Sequence, residues 1–163
     1  MKPILIVEDE NALRESLRDW LVDGGYSVEV AKDGEEALRK VNGQDFGIVL
    51  LDLRLPDMDG IQVLREARKK RPGLKVVIIT AYPSVNSAVT AIKEGAIDYL
   101  PKPFDLDDLE KLISGNTELQ PVEVDKRAAS GEAVAKLAVR KQAVGMSLQL
   151  IGWEYIDNYL NPV

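Results

Sequence analysis

Three short runs of uninterrupted apolar residues set the pattern of the chain: Ile4-Leu5-Ile6-Val7, Ile48-Val49-Leu50-Leu51 and Val76-Val77-Ile78-Ile79. Runs of this length without polar alternation predict strands buried on both faces. Two weaker signals complete the set, an alternating stretch over Ser27–Ala31 and the segment Ala96–Lys102. Between these segments the apolar residues change to helical spacing. One face carries Leu13, Leu17, Trp20 and Leu21, another Ile61, Leu64 and Ala67, a third Val85, Ala88, Val89 and Ile92, and a last one Leu106, Leu109, Leu112 and Ile113. Asn11 is placed to cap the first helix and Gly24-Gly25 to end it. Asp33 with Glu36 three residues on reads as a capping-box start for a helix through about Val41. Gly60–Lys70 reads as helix, and its basic end (Arg65, Arg68, Lys69, Lys70, Arg71) suits the negative end of a helix dipole. Pro83-Ser84 opens the next helix and Gly95 stops it. Five strands alternating with five helices predict an α/β fold, a doubly wound parallel sheet covered on both faces.

The polar residues matter most where the strands end. Asp52 follows the second apolar run directly, and Pro56, Asp57, Asp59 and Gly60 then turn the chain. A carboxylate inside an apolar sheet would lose its water, so its place is the C-terminal end of the strand. Ligands of open parallel sheets bind just outside that edge. On this segment alone, Asp52 as a turn cap and Asp52 as a functional group stand equal. The other strand ends change the balance: Glu8 and Asp9 close the first strand, Thr80 the fourth and Lys102 the fifth. Asp9 could serve only as a helix cap, yet two adjacent acids exceed what capping needs. Thr80, Tyr99 or Lys102 alone would signify little. Together they gather at one edge of the sheet.

Composition narrows the chemistry. The chain of 163 residues contains no His and no Cys, which removes imidazole catalysis, thiolate metal sites and disulfides. A net charge of −6 argues against a general affinity for nucleic acid or anionic membrane. No apolar run approaches the roughly 20 residues of a membrane span, and Met1-Lys2-Pro3-Ile4 lacks a signal-peptide layout. A cytoplasmic location is expected. Several carboxylates in one crevice repel unless a cation joins them, and an oxygen-only set with open positions points to Mg2+. Lys102 supplies a point charge for a phosphate oxygen, and Thr80 a hydroxyl donor. A carboxylate nucleophile, a divalent metal, a lysine and a hydroxyl suit phosphoryl transfer onto Asp52.

Residues 1–115 resemble the receiver domain of bacterial response regulators. The resemblance rests on Ile6-Val7-Glu8-Asp9-Glu10, Leu51-Asp52-Leu53, Leu55-Pro56-Asp57-Met58-Asp59-Gly60, Ile79-Thr80-Ala81 and Asp98-Tyr99-Leu100-Pro101-Lys102-Pro103-Phe104, in this order. It implies a flavodoxin-like sheet in the order 2-1-3-4-5, with Asp52 as phosphoacceptor. Glu8 and Asp9 would form the acidic pocket, with Asp9, Asp52 and the backbone carbonyl of Arg54 on Mg2+. Thr80 and Lys102 would contact the phosphoryl group, and Tyr99 would be the switch aromatic. The donor would be a histidine kinase or a histidine phosphotransfer protein, and catalysis would be limited to self-phosphorylation and autodephosphorylation. In the family, the residues two after the phosphoacceptor and two after the Thr tune the phosphoryl lifetime. These are Arg54 and Tyr82 here, both bulky, which implies restricted access for water. The resemblance also places Lys102 on a tight loop, and a cis Lys102–Pro103 bond is expected, because X-Pro is where cis costs little.

Two other functions compete. A Mg2+-dependent aspartyl-phosphate phosphohydrolase of the haloacid-dehalogenase type would carry a second Asp two residues after the nucleophile, where this chain has Arg54, and no capping insertion is present. A transcription regulator would need a small DNA-binding output in the tail. Residues 116–130 read as linker, with Pro121 among them, and 131–163 as a ragged helical segment bearing Val134, Leu137, Leu148, Ile151 and Trp153. From Asn116 onward five Lys or Arg stand against six Asp or Glu, so the tail has no basic face for phosphates. Its apolar stripe is too short to form a core unaided and is expected to be buried in a homodimer.

Overall fold

The computed structural model describes residues 2–117. The strands are β1 (Ile4–Val7), β2 (Val28–Ala31), β3 (Ile48–Asp52), β4 (Val76–Thr80) and β5 (Asp98–Pro101). The helices are α1 (Asn11–Asp23), α2 (Gly34–Gly43), α3 (Gly60–Lys70), α4 (Val85–Lys93) and α5 (Leu106–Thr117). All strand pairs are parallel, in the order β2-β1-β3-β4-β5. This is the five-stranded, five-helix arrangement expected from the sequence.

The unbroken apolar runs follow from that placement. Successive side chains of a strand point to opposite faces. Leu5, Val7, Val49, Leu51, Val76 and Ile78 enter one core with α2, α3 and α4. Ile4, Ile6, Ile48, Leu50, Val77 and Ile79 enter the other with α1 and α5. A polar residue at any of these positions would face hydrocarbon on whichever side it pointed, so polarity is confined to the strand ends.

Several local expectations are corrected. β5 begins at Asp98 rather than Ala96, because the Ala96 amide turns back to Ala91 O at the end of α4. It also ends at Pro101, so Lys102 lies one residue beyond the strand. β2 likewise begins one residue after Ser27. Asn11 is not the cap of α1: Glu10 occupies that position without a side-chain bond, and the Asn11 side-chain Oδ1 instead accepts from the Arg14 guanidinium. Asp33 does cap α2 through Glu36 N (2.8 Å), but Glu36 reaches back to Lys32 N. On α3 and α4 the buried face is displaced toward Val63 and Ala91, leaving Ile61, Val85 and Val89 at its margin. Leu106, at the open first turn of α5, is 41% exposed, while Leu109, Leu112 and Ile113 are buried. The expectations for 118–163 lie outside the described residues.

Candidate functional site

Because all five strands run the same way, their C-terminal ends form one edge of the sheet. β1 delivers Glu8 and Asp9 there, β3 Asp52, β4 Thr80, and the residue after β5 is Lys102. The structure brings these groups together. Lys102 Nζ donates to Glu8 Oε2 at 2.5 Å and to Asp52 Oδ2 at 2.9 Å. A carboxylate oxygen each from Glu8, Asp9 and Asp52 lies within 4.8 Å of the others. Glu8 and Asp52 are buried, and Asp9 is exposed at the mouth. Main-chain amides complete the frame: Glu10 N donates to Glu8 Oε1 and Arg54 N to Asp52 Oδ1, each at 3.1 Å.

Three acids against one lysine leave excess negative charge, and Glu8 registers it. Burial first, and the Asp52 charge beside it, raise its carboxyl to about 7 against the bonds from Lys102 and Glu10. Burial of Lys102 works toward the neutral amine, but hydrogen bonds to Glu8 and Asp52 outweigh it and raise its pKa. A raised carboxyl favours the folded state most when both states are protonated. This contribution is complete below the unfolded value of 4.5 and is lost as pH rises to about 7. Its size is on the order of 3 kcal/mol at the upper limit. Glu8→Gln is therefore expected to flatten the fall in stability across that interval, measured without divalent metal as urea midpoints of both proteins. Parallel curves would show that Glu8 ionises normally.

The donor set fits a hard cation. It is all oxygen and crowded with negative charge, and it is open on the side of Asp9.

Thr80 is fully buried at the end of β4, its hydroxyl oxygen accepting from Tyr82 N at 3.0 Å. Tyr99 lies on β5 with its ring fully buried. Its phenolic oxygen accepts from Ser84 N at 3.2 Å and stands 2.7 Å from Ser87 Oγ. Burial raises the phenol above its ordinary pKa, against the bonds from Ser87 and Ser84. The aromatic ring is thus held at the start of α4, next to the segment that leaves Thr80. The Arg54 and Tyr82 side chains meet, the guanidinium 3.6 Å from the ring centroid. The Lys102–Pro103 bond is cis, as expected.

Two parts of the site escaped the sequence reading. The Ser84–Ser87 partnership with Tyr99 joins residues 12 to 15 apart, and no local pattern marks it. Asp57, read only as a turn residue, accepts hydrogen bonds from the start of α2. The glycine at 60, by contrast, has a local reason. A Cβ there would stand 2.4 Å from Asp52 O and 2.6 Å from Leu53 Cα, so only glycine lets α3 begin against the end of β3.

Comparison with known proteins agrees with this geometry. The family model described as the response regulator receiver domain matches residues 4–114. The chain is 44% identical over 115 residues to the transcriptional regulatory protein ZraR of Klebsiella oxytoca, covering 68% of this chain and 25% of that protein. It is 45% identical over 106 residues to the response regulator MprA of Mycolicibacterium vanbaalenii, covering 65% and 46%. The chain thus spans from a quarter to about half the length of these curated relatives. Among solved structures, a CheY-like receiver domain protein from Methanospirillum hungatei superposes with a TM-score of 0.70 at 38% identity, covering 72% of this chain and 94% of that one. The response regulator TrrA of Thermotoga maritima, solved in complex with Mg(2+)-BeF, gives 0.64 at 36% identity and covers 71% and 98%. Receiver domains interact with histidine kinases and are not enzymes in the ordinary sense. A five-stranded parallel sheet in the order 2-1-3-4-5, an acidic pocket at its C-terminal edge and a family match over residues 4–114 place this chain in the response regulator receiver domain family.

Proposed function

We propose that Asp52 accepts a phosphoryl group from a partner histidine kinase or histidine phosphotransfer protein, and that the modified domain, over residues 1–115, switches a protein-interaction surface. The observation that carries this is the convergence of Lys102 on Asp52 and Glu8, with the Asp9 carboxylate beside them. Asp9, Asp52 and the main-chain carbonyl of Arg54 would hold Mg2+, with Glu8 behind them. When bound, the ion supplies positive charge against the phosphoryl oxygens. Asp52 Oδ attacks phosphorus as the bond to the donor nitrogen breaks, giving an acyl phosphate. Lys102, already 2.9 Å from Asp52, neutralises the transferring oxygens.

The new group adds about −1 to −2 of charge and three acceptor oxygens. The Thr80 hydroxyl can donate to one of them by giving up its contact with Tyr82 N. Such a move acts directly on the segment that carries Ser84 and Ser87, which hold Tyr99. Phosphorylation then biases two arrangements of α4 and β5 without a change of fold. Hydrolysis of the acyl phosphate ends the signal. No helix among the described residues is long and apolar enough to cross a membrane, and we infer a cytoplasmic setting.

The test is incubation with Mg2+ and acetyl phosphate, read as intact mass. Uptake of a single phosphoryl group is expected, and a chain left unmodified would overturn the reading. The lifetime of the modified form gives a finer check. The resemblance gives Arg54 and Tyr82 a part in limiting water at Asp52, and the two side chains stack on each other, so Tyr82→Ala is expected to hydrolyse its acyl phosphate severalfold faster. Equal decay would remove the stack from the account.

A second reading concerns output. ZraR is a transcriptional regulatory protein, which removes the support for treating nucleic acid as an improbable partner. DNA binding through a small C-terminal output is therefore kept as an alternative, and a gel shift with the full chain distinguishes it from the homodimer expected through the tail. Nothing in the pocket favours the phosphohydrolase, since Arg54 stands where its general acid would be.

A further inference from the structure

The loop from β3 to α3 carries Arg54 and is fixed at both ends. At its base, Gly60 N donates to Leu53 O at 2.7 Å, Arg54 pairs antiparallel with Asp59, and the Asp59 carboxylate caps α3 through Ile61 N at 2.8 Å. At its tip, the two carboxylate oxygens of Asp57 accept from Gly34 N at 2.9 Å and Glu35 N at 2.8 Å. These are amides of the first turn of α2, which the helix cannot satisfy itself. The local cap, Asp33, takes Glu36 N. The start of α2 is therefore shared between a neighbour in sequence and a carboxylate from the loop 22 to 23 residues away.

A second contact makes the joint close. Met58 lies so near Gly34 that a Cβ there would stand 2.4 Å from Met58 Cγ and 2.8 Å from Val63 Cγ2. Asp57 is exposed; the slight desolvation of its carboxyl would raise it, but the bonds from Gly34 and Glu35 outweigh that and hold its pKa below the ordinary value. The carboxylate is bound as an anion.

We propose that Asp57 is a positioning residue of the acidic pocket: by gripping the start of α2 it holds the 53–60 loop so that the Arg54 carbonyl stands ready beside Asp9 and Asp52, and it thereby sets the affinity for Mg2+. This rests on the proposed Mg2+ site. A carbonyl on a loose loop must be ordered when the ion arrives, whereas a braced one loses less freedom. Groups that orient a ligand without touching the metal commonly change its affinity about 10- to 100-fold.

The test is an Mg2+ titration of the full chain, followed through the backbone amide signals of Asp52, Arg54, Gly34 and Glu35. In the wild type the Gly34 and Glu35 signals are expected to move at the same Mg2+ concentration as those of the pocket. Asp57→Ala should bind Mg2+ about tenfold more weakly, with Gly34 and Glu35 no longer responding. Asp57→Asn loses the same charge but keeps a carbonyl acceptor for one amide, so it should fall between the two. If both variants weaken equally, the effect is the lost charge alone and the brace is refuted. Unchanged affinity in Asp57→Ala refutes it also and leaves the Mg2+ site standing. A wild type that takes no Mg2+ overturns the site itself and the proposal with it.

Discussion

Asp52→Asn is expected to reduce phosphoryl uptake from acetyl phosphate to background while leaving the fold in place. The amide has no charge to give to phosphorus and is a poor ligand for a hard cation. Its carbonyl can still accept from Arg54 N or from Lys102, so the local frame survives. The same substitution has a second consequence that a merely unfolded protein would not show. The charge of Asp52 is one of the causes that raise Glu8 to about 7. Without it the Glu8 carboxyl should titrate lower, observable in the carbon chemical shift of that side chain. Loss of labelling with an unmoved Glu8 would mean that the two carboxylates do not interact. Labelling equal to that of the wild type would remove Asp52 as the acceptor.

Lys102→Met is expected to damage both stability and phosphorylation, for separable reasons. The ammonium is the cation that the structure places between Glu8 and Asp52, and its side chain is only 15% exposed. Removing one partner of a buried ion pair usually costs about 3–5 kcal/mol. Here the loss should fall near or below the lower end, because Glu8 can take up a proton at neutral pH. Phosphorylation should slow by about 100-fold or more, the usual effect of deleting one preorganised electrostatic contact. Lys102→Met combined with Glu8→Gln separates the effects. The paired neutral substitutions should restore most of the urea midpoint and none of the rate. If the rate returned along with stability, Lys102 would be a structural ion-pair partner only.

The sheet was legible because both faces of it are covered. A strand buried on two sides must be apolar throughout, and β1, β3 and β4 satisfy that rule without exception up to Asp52 and Thr80. The pocket was legible for the complementary reason: once polar groups are excluded from the strands, those at their ends stand out. β5 was less clear. It contains the buried carboxylate of Asp98, and the apolar Ile97 ahead of it belongs to no strand. The cap of α1 was misread because Asn11 is a good capping residue by type, while the backbone places Glu10 in that position. Contacts that reach across the fold left no trace in the pattern. Asp57 resembles any turn residue until α2 is seen to start on it, and Ser87 resembles any polar residue of a first helical turn until the Tyr99 hydroxyl is seen beside it.

The far end of α5 has a consequence of its own. Lys75, one residue ahead of β4, donates through Nζ to Asn116 O at 2.5 Å. That contact pins the last described turn to the edge of the sheet where the strands begin. Asp52 lies at the edge where they finish, and a five-residue strand is about 17 Å long. Whatever follows Thr117 in the chain sets out from the antipode of the chemistry. Covalent continuity alone therefore carries no message from one to the other. News of the modification must cross the domain as a rearrangement of its helices, or be read by a second molecule that grasps both poles.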